Sequence, residues 1–275
     1  WALAWLILTM PSVCVYVAFL QRHTKAPTIG HVRSANRLLL WIRKNLKRLG
    51  VRYQRLQEPL RLIALSDSAF KAQDYDGLVM RGCVIMLAEA VADGNHQHGS
   101  ARRSFHKPWT TGTTVRLHLL DWYSRKHTRV VRSTFAAELL SLLDGVNQGH
   151  VIKIALDELH LGTRTAKQLL EHRGQAGIPL DAGVDAKSVF DSLTADVVKT
   201  PNDKQLLLHA KAMRELLEDG EVDRLYWFDT EDMLPDGLTK GCVDREPLLK
   251  VAAEGEWAIK NDAPVWKTLT KEGQE

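Results

Sequence analysis

Apolar positions along the chain change their period several times, and each change marks an element. Residues 1–20, WALAWLILTMPSVCVYVAFL, hold no charge, and Pro11 divides them, so they read as two short buried helices. From 31 to 50, Val32, Leu38, Leu39, Ile42 and Leu46 recur at helical spacing, with Arg37, Lys44, Lys47 and Arg48 on the other faces. The period then falls to two. Strand-like runs at 62–65, 78–87 and 115–122 follow one another, the last alternating Val115, Leu117 and Leu119 with Arg116 and His118. Three consecutive strands predict an antiparallel meander.

Helical spacing returns at 130–145, where Ser133 or Thr134 can cap and Phe135, Leu139, Leu142, Leu143 and Val146 form a stripe. Glu138 sits on the edge of that stripe, one turn into the helix. Since Phe135 stands three residues before it, Glu138 is not the acid of a capping box. The helix continues to about Leu161. A strand at 178–184, a helix at 204–217, a strand at 225–228 and a closing helix follow. Thr200, Pro201, Asn202 and Asp203 offer a helix start, and Gly220 a stop. The order β-β-β-α-β-α-β-α defines an α/β fold with a five-stranded mixed sheet. Residues 1–60 form a helical appendage, 61–245 the main domain, and 246–275, with Trp257 and Trp266, a peripheral tail.

At 275 residues and 45% hydrophobic, the chain can bury one sizeable core plus that appendage. Its cysteines, Cys14, Cys83 and Cys242, are odd in number and widely spaced, which points to a reducing compartment such as the cytoplasm. Residues 1–20 reach the length of a membrane span, but Pro11 argues against an anchor. Charge is divided: residues 1–132 carry 21 Lys and Arg against 7 Asp and Glu, a net of +14, and residues 133–275 carry 16 against 26, a net of −10. A basic half suits a polyanion, and an acidic half suits grouped carboxylates that hold cations. His96, His98 and His106 lack a second cluster at ligand spacing, so zinc is not expected.

Four acids share one kind of position. Asp67 ends the first strand, Asp185 the fourth, Glu138 enters the helix between them, and Asp236 follows the fifth strand. Each has a plain reading: Asp67 as a turn residue, Asp185 displaced by Asp191, Asp236 as part of a Pro-Asp-Gly turn. Taken together, they can converge at one sheet edge, where repulsion calls for cations. Oxygen donors alone select Mg²⁺ or Mn²⁺, and two such ions about 4 Å apart can drive phosphodiester hydrolysis.

The run from Trp1 to about Trp257 resembles the C-terminal part of a copia-type retrotransposon polyprotein, from the end of its reverse transcriptase through its ribonuclease H domain. IALSDSAF (63–70) looks like the family's first strand, LLDWYSRKHTRVVRSTFAAELLSL (119–142) is similar to its tract around the catalytic Glu, VDAKSVFDSL (184–193) to its "CDN-SA--L" tract, and YWFDTEDMLPDGLTKG (226–241) to its "YVPTEDQLADILTK" ending. The resemblance implies a ribonuclease H-like fold and Mg²⁺-dependent cleavage of the RNA strand of an RNA–DNA hybrid during reverse transcription. It also implies catalytic and metal-binding roles for Asp67, Glu138, Asp185 and Asp236, with one Mg²⁺ on the first three and a second between Asp67 and Asp236. Arg43, Lys44, Lys47, Arg48, Arg102, Arg103, Arg125, Lys126, Arg129 and Arg132 are then expected to grip the hybrid, and the rest of the polyprotein is the expected protein partner. The chain departs from the family at Pro235, where a small residue is usual, and the family's histidines fall on Gln205 and Lys211, with His209 nearby. No YxDD polymerase motif is present. A ribonuclease H fold without catalysis, binding nucleic acid as a scaffold, is the alternative expectation.

Overall fold

The computed structural model describes residues 2–70, 79–90, 109–128, 130–163, 165, 167–168, 177–197 and 203–266. The meander forms as the alternation predicts: β1 (Leu60–Ala69) pairs antiparallel with β2 (Met80–Glu89), and β2 with β3 (Thr114–Lys126). β4 (Leu180–Val184) joins β1 in parallel, and β5 (Arg224–Trp227) joins β4. Five strands were expected, whereas among the described residues the sheet has seven, in the order β6-β3-β2-β1-β4-β5-β7. The two extra strands, β6 (Glu256–Ala258) and β7 (Val265–Trp266), are too short to carry a period of their own. Pairing with the outer strands makes them.

One face of the sheet is covered by α4 (Thr134–Leu161), α5 (Lys187–Thr194) and α6 (Gln205–Glu218). Leu62, Ala64, Cys83 and Ile85 meet Leu139, Leu142 and Val146 there. The seat is close, since a Cβ on Gly149 of α4 would stand 2.9 Å from Leu180 Cδ1. Ser133 is the cap of α4, its hydroxyl accepting from the Ala136 amide at 3.1 Å. Eight-residue α5 was not foreseen, because a helix that short shows little periodicity. α6 starts at Gln205, whose amide donates to Asp203 Oδ1 at 3.1 Å; Thr200, Pro201 and Asn202 lie outside the described residues.

The other face packs against α7 (Asp236–Thr239) and α8 (Glu246–Glu254), with Ile63, Leu65, Val84 and Met86 meeting Leu238, Leu248, Val251 and Trp257. A bulge in β3 keeps both faces apolar. The β2–β3 register shifts between Ile85 and Met86, leaving Leu120 as the extra residue. Before it, Val115, Leu117 and Leu119 face α8; beyond it, Trp122 keeps to that side and Tyr123 turns to α4.

The N-terminal run forms α1 (Ala2–Leu6), a 3-10 turn and α2 (Cys14–Arg22), followed by α3 (Ile29–Asn45). Val13 and Val17 pack on Leu38 and Ile42, while α1, expected to be buried, buries none of its residues. Among the described residues, no helix is long and apolar enough to cross a membrane.

The described part of the expected peripheral tail, 246–266, is instead tied into the core. Trp257 is 3% exposed, with its ring 4.9 Å from Trp109 and 5.3 Å from Phe228. Buried Asp232 clamps the segment by accepting from the amides of Lys260 and Asn261, each at 2.9 Å. β6 and β7 also require the sheet to curl. Six gaps between seven flat strands would span roughly 29 Å, yet the chain from Ala258 to Val265 reaches about 25 Å at most.

Candidate active site

Asp67 lies within β1 rather than at its end, 1% exposed, and pairs in register with Gly82 of β2. That glycine shapes the site. A Cβ at 82 would stand 2.8 Å from Thr239 Cγ2 and 2.9 Å from Leu238 Cβ, so only its absence lets α7 lie across the strand. α7 opens with Asp236, and Pro235 before it has φ −61° and ψ −19°, values suited to a helix start. Pro235, the departure from the family pattern, thus fits the helix that carries Asp236.

The parallel β1–β4 register pairs Leu65 with Gly183, and two residues further on it sets Asp67 level with Asp185. Trp227 Nε1 donates to the Asp185 carbonyl at 2.7 Å and fixes the strand end. Carboxylate oxygens of Asp67, Asp185 and Asp236 lie within 4.8 Å of one another. Asp191 is excluded as a substitute for Asp185, being exposed and paired with Lys187 at 3.5 Å.

Glu138 enters from the opposite face of the sheet and is 4% exposed. Its Oε2 is buried and has no hydrogen-bond partner. Burial first, then the Asp67 and Asp185 charges, push its carboxyl up to about 9. Asp185 is pushed up to about 7 by burial followed by Asp67 and Asp236, and Asp236 up to about 6 by burial and then Asp67. These acids hold protons where exposed ones would not.

Residues around the acids orient them. Thr239 Oγ1 donates to Asp67 Oδ2, and Lys240 Nζ lies 2.5 Å from Asp236 Oδ1 and 3.7 Å from Asp67 Oδ1. Burial disfavours the Lys240 charge, but Asp67 and Asp236 more than offset it and raise its pKa. Buried His127 braces α4 on either side of Glu138, bonding the Ala137 backbone and standing 3.2 Å from Ser141 Oγ. Burial and then Arg81 lower its pKa to about 4, so it is neutral.

Gly82, His127, Thr239 and Lys240 escaped the sequence reading. Only Lys240 had a local signal, four residues after Asp236 on a helix.

The expected basic residues fall in two groups. Arg125 and Lys126 close β3, where the pairs Ala69–Met80 and Met80–Lys126 set them at the sheet end that carries Asp67. Arg22 joins them, its Nη1 3.8 Å from Met80 Sδ. Arg43, Lys44, Lys47 and Arg48 are exposed on α3 and the turn after it, with Arg48 paired to Glu246. Arg132 is exposed just before α4; Arg102, Arg103 and Arg129, like His96, His98 and His106, lie outside the described residues.

Asp67, Asp185 and Asp236, from β1, the end of β4 and α7, thus form an all-oxygen cluster; Glu138 of α4 stands outside that group but within reach of the Asp67 and Asp185 charges. No protein-family model matches the chain, and no curated protein matches it either.

Proposed function

We propose that the chain is a metal-dependent ribonuclease H that hydrolyses the RNA strand of RNA–DNA hybrids and derives from a copia-type reverse transcriptase polyprotein. One observation carries the reading: the Asp67, Asp185 and Asp236 oxygens lie within 4.8 Å of one another, and Glu138, whose buried Oε2 has no hydrogen-bond partner, is near enough to feel the Asp67 and Asp185 charges. A buried carboxylate oxygen without a partner is costly, and so is a set of like charges. A hard divalent cation relieves both, so the donors fit Mg²⁺ or Mn²⁺. The central strand order β3-β2-β1-β4-β5, with its acids at one end, also supports a ribonuclease H-like fold.

Asp67, Glu138, Asp185 and Asp236 would hold the metal. When bound, a divalent cation acidifies water and neutralises charge on the scissile phosphate. The protein supplies the rest. Thr239 fixes one oxygen of Asp67, Trp227 holds the Asp185 backbone, and His127 keeps Glu138 pointed inward. Arg22, Arg125 and Lys126, at the same sheet end, offer phosphate contacts along the hybrid, and binding through them is salt-dependent and indifferent to sequence. Recognition of the 2′-hydroxyl and A-like groove selects the RNA strand. The scaffold alternative drew on Pro235, whose helical backbone lends it no support.

The test is cleavage of an end-labelled RNA–DNA hybrid by the full chain with Mg²⁺ or Mn²⁺, beside duplex DNA, single strands and Asp185→Asn. Cleavage confined to the hybrid's RNA strand, and lost in the variant, is the expected outcome. Hybrid binding without cleavage by the wild-type chain would sink the catalytic reading and leave the scaffold.

A further inference from the structure

Resting on the metal-binding reading above, we propose that Lys240 is a built-in cation that stands in for the second metal, so the site takes one divalent ion. The second ion expected from the sequence would need Asp67 and Asp236. Lys240 Nζ bridges those two groups, 3.7 Å from Asp67 Oδ1 and 2.5 Å from Asp236 Oδ1. It is half-buried and held from behind. Arg245 Nη2 donates to the Lys240 carbonyl and Arg245 Nε to the Gly237 carbonyl at 3.1 Å, locking the end of α7.

Asp185 and Glu138 are served differently, since Lys240 reaches them only through the longer-range pull of its charge. Among the described residues, no basic side chain forms an ion pair with Asp185 or Glu138, and Glu138 Oε2 has no hydrogen-bond partner. Demand for positive charge is therefore concentrated there. A dication entering between Asp67 and Asp236 would meet the ammonium at a few ångströms, in surroundings of low dielectric, and be repelled. One divalent ion held by Asp67, Asp185 and Glu138, with the ammonium on Asp236, brings three positive charges to the four carboxylates without that clash.

The experiment counts ions and does not depend on cleavage. Metal-free full-length chain is titrated with Mn²⁺ at neutral pH, with bound ion followed by calorimetry and free ion by electron paramagnetic resonance. Wild type is expected to take one ion. Lys240→Met, which keeps the length and removes the charge, is expected to take a second at least about tenfold more tightly than wild type does; Lys240→Arg is expected to remain at one. Two ions on wild type with comparable affinity overturn the inference while leaving a metal centre in place, and that result stands even if Lys240→Met fails to fold. No ion on any of the proteins removes the metal reading itself.

Discussion

β1 and β4 each bury charge at two levels, and the two levels treat it in opposite ways. Near their starts, Arg61 and Asp181 are almost fully buried and paired, with Arg61 Nε 2.6 Å from Asp181 Oδ2 and Nη2 also bonding Asp181 and, at 2.5 Å, Asp223. Near their ends, Asp67 and Asp185 face each other, Glu138 and Asp236 with Lys240 as their one ion-pair partner among the described residues. With Arg224 Nε 3.5 Å from Asp223, the first arrangement sets two cations against two acids and locks the strands. The second is short of positive charge and costs stability for as long as nothing binds. Matching burial therefore teaches little alone; the charge balance around it separates a brace from a site.

Breaking the balanced end should have the largest effect. Arg61→Met leaves Asp181 buried without its paired guanidinium and Asp223 with Arg224 alone, and should lower the unfolding free energy by roughly 3–5 kcal/mol, measured by urea denaturation. A double variant that also carries Asp181→Leu should recover much of that loss.

The unbalanced end should show itself through pH. Glu138, Asp185 and Asp236, with carboxyls raised to about 9, about 7 and about 6, hold protons more tightly folded than unfolded. Their contribution is full below about pH 4 and is lost as pH climbs through those values, so the metal-free chain should weaken by on the order of a few kcal/mol between pH 5 and 9. Saturating Mg²⁺ should flatten the curve. A metal-free profile that instead rises with pH would contradict the crowding of these carboxylates.

Gly82→Ala should act between the two extremes. Its methyl drives into Thr239 and Leu238, and about 1–3 kcal/mol of stability should go, together with at least about tenfold in hybrid cleavage, as α7 lifts Asp236 and Lys240 from Asp67. Asp185→Asn should be the smallest change in stability and of opposite sign. Relief of repulsion should raise the unfolding free energy by about 1 kcal/mol while cleavage disappears. The same loss of charge at Asp181 should destabilise, which sharpens the contrast.

Sequence made the long elements legible in different ways: β3 alternates and α4 carries the Leu139, Leu142 and Val146 stripe, while β1 and β2, buried on both faces, show as continuous apolar runs. It marked the four acids because each ends or edges an apolar run. It did not carry their convergence, which depends on the β1–β4 register and on Gly82 admitting α7. His127 was missed for the same reason, and so was the contact of Lys240 with Asp67, although its pairing with Asp236 is local. β6, β7 and α5 are too short for a pattern, and a mixed-charge stretch around Trp257 looked peripheral because its burial comes from Trp109 and Phe228.

The closure of the sheet by β6 and β7 bears on how the protein behaves in company. An open sheet ends in two rows of unpaired amides and carbonyls that recruit other strands. Here a single stretch, 256–266, covers part of both outer strands, pairing with Thr114, Val115 and Arg116 on one side and with Leu225 and Tyr226 on the other. Loss of that stretch would uncover both edges at once, and a particle that is adhesive on two opposite sides grows into a filament instead of stopping at a dimer. β6 and β7 thus guard the protein against self-association.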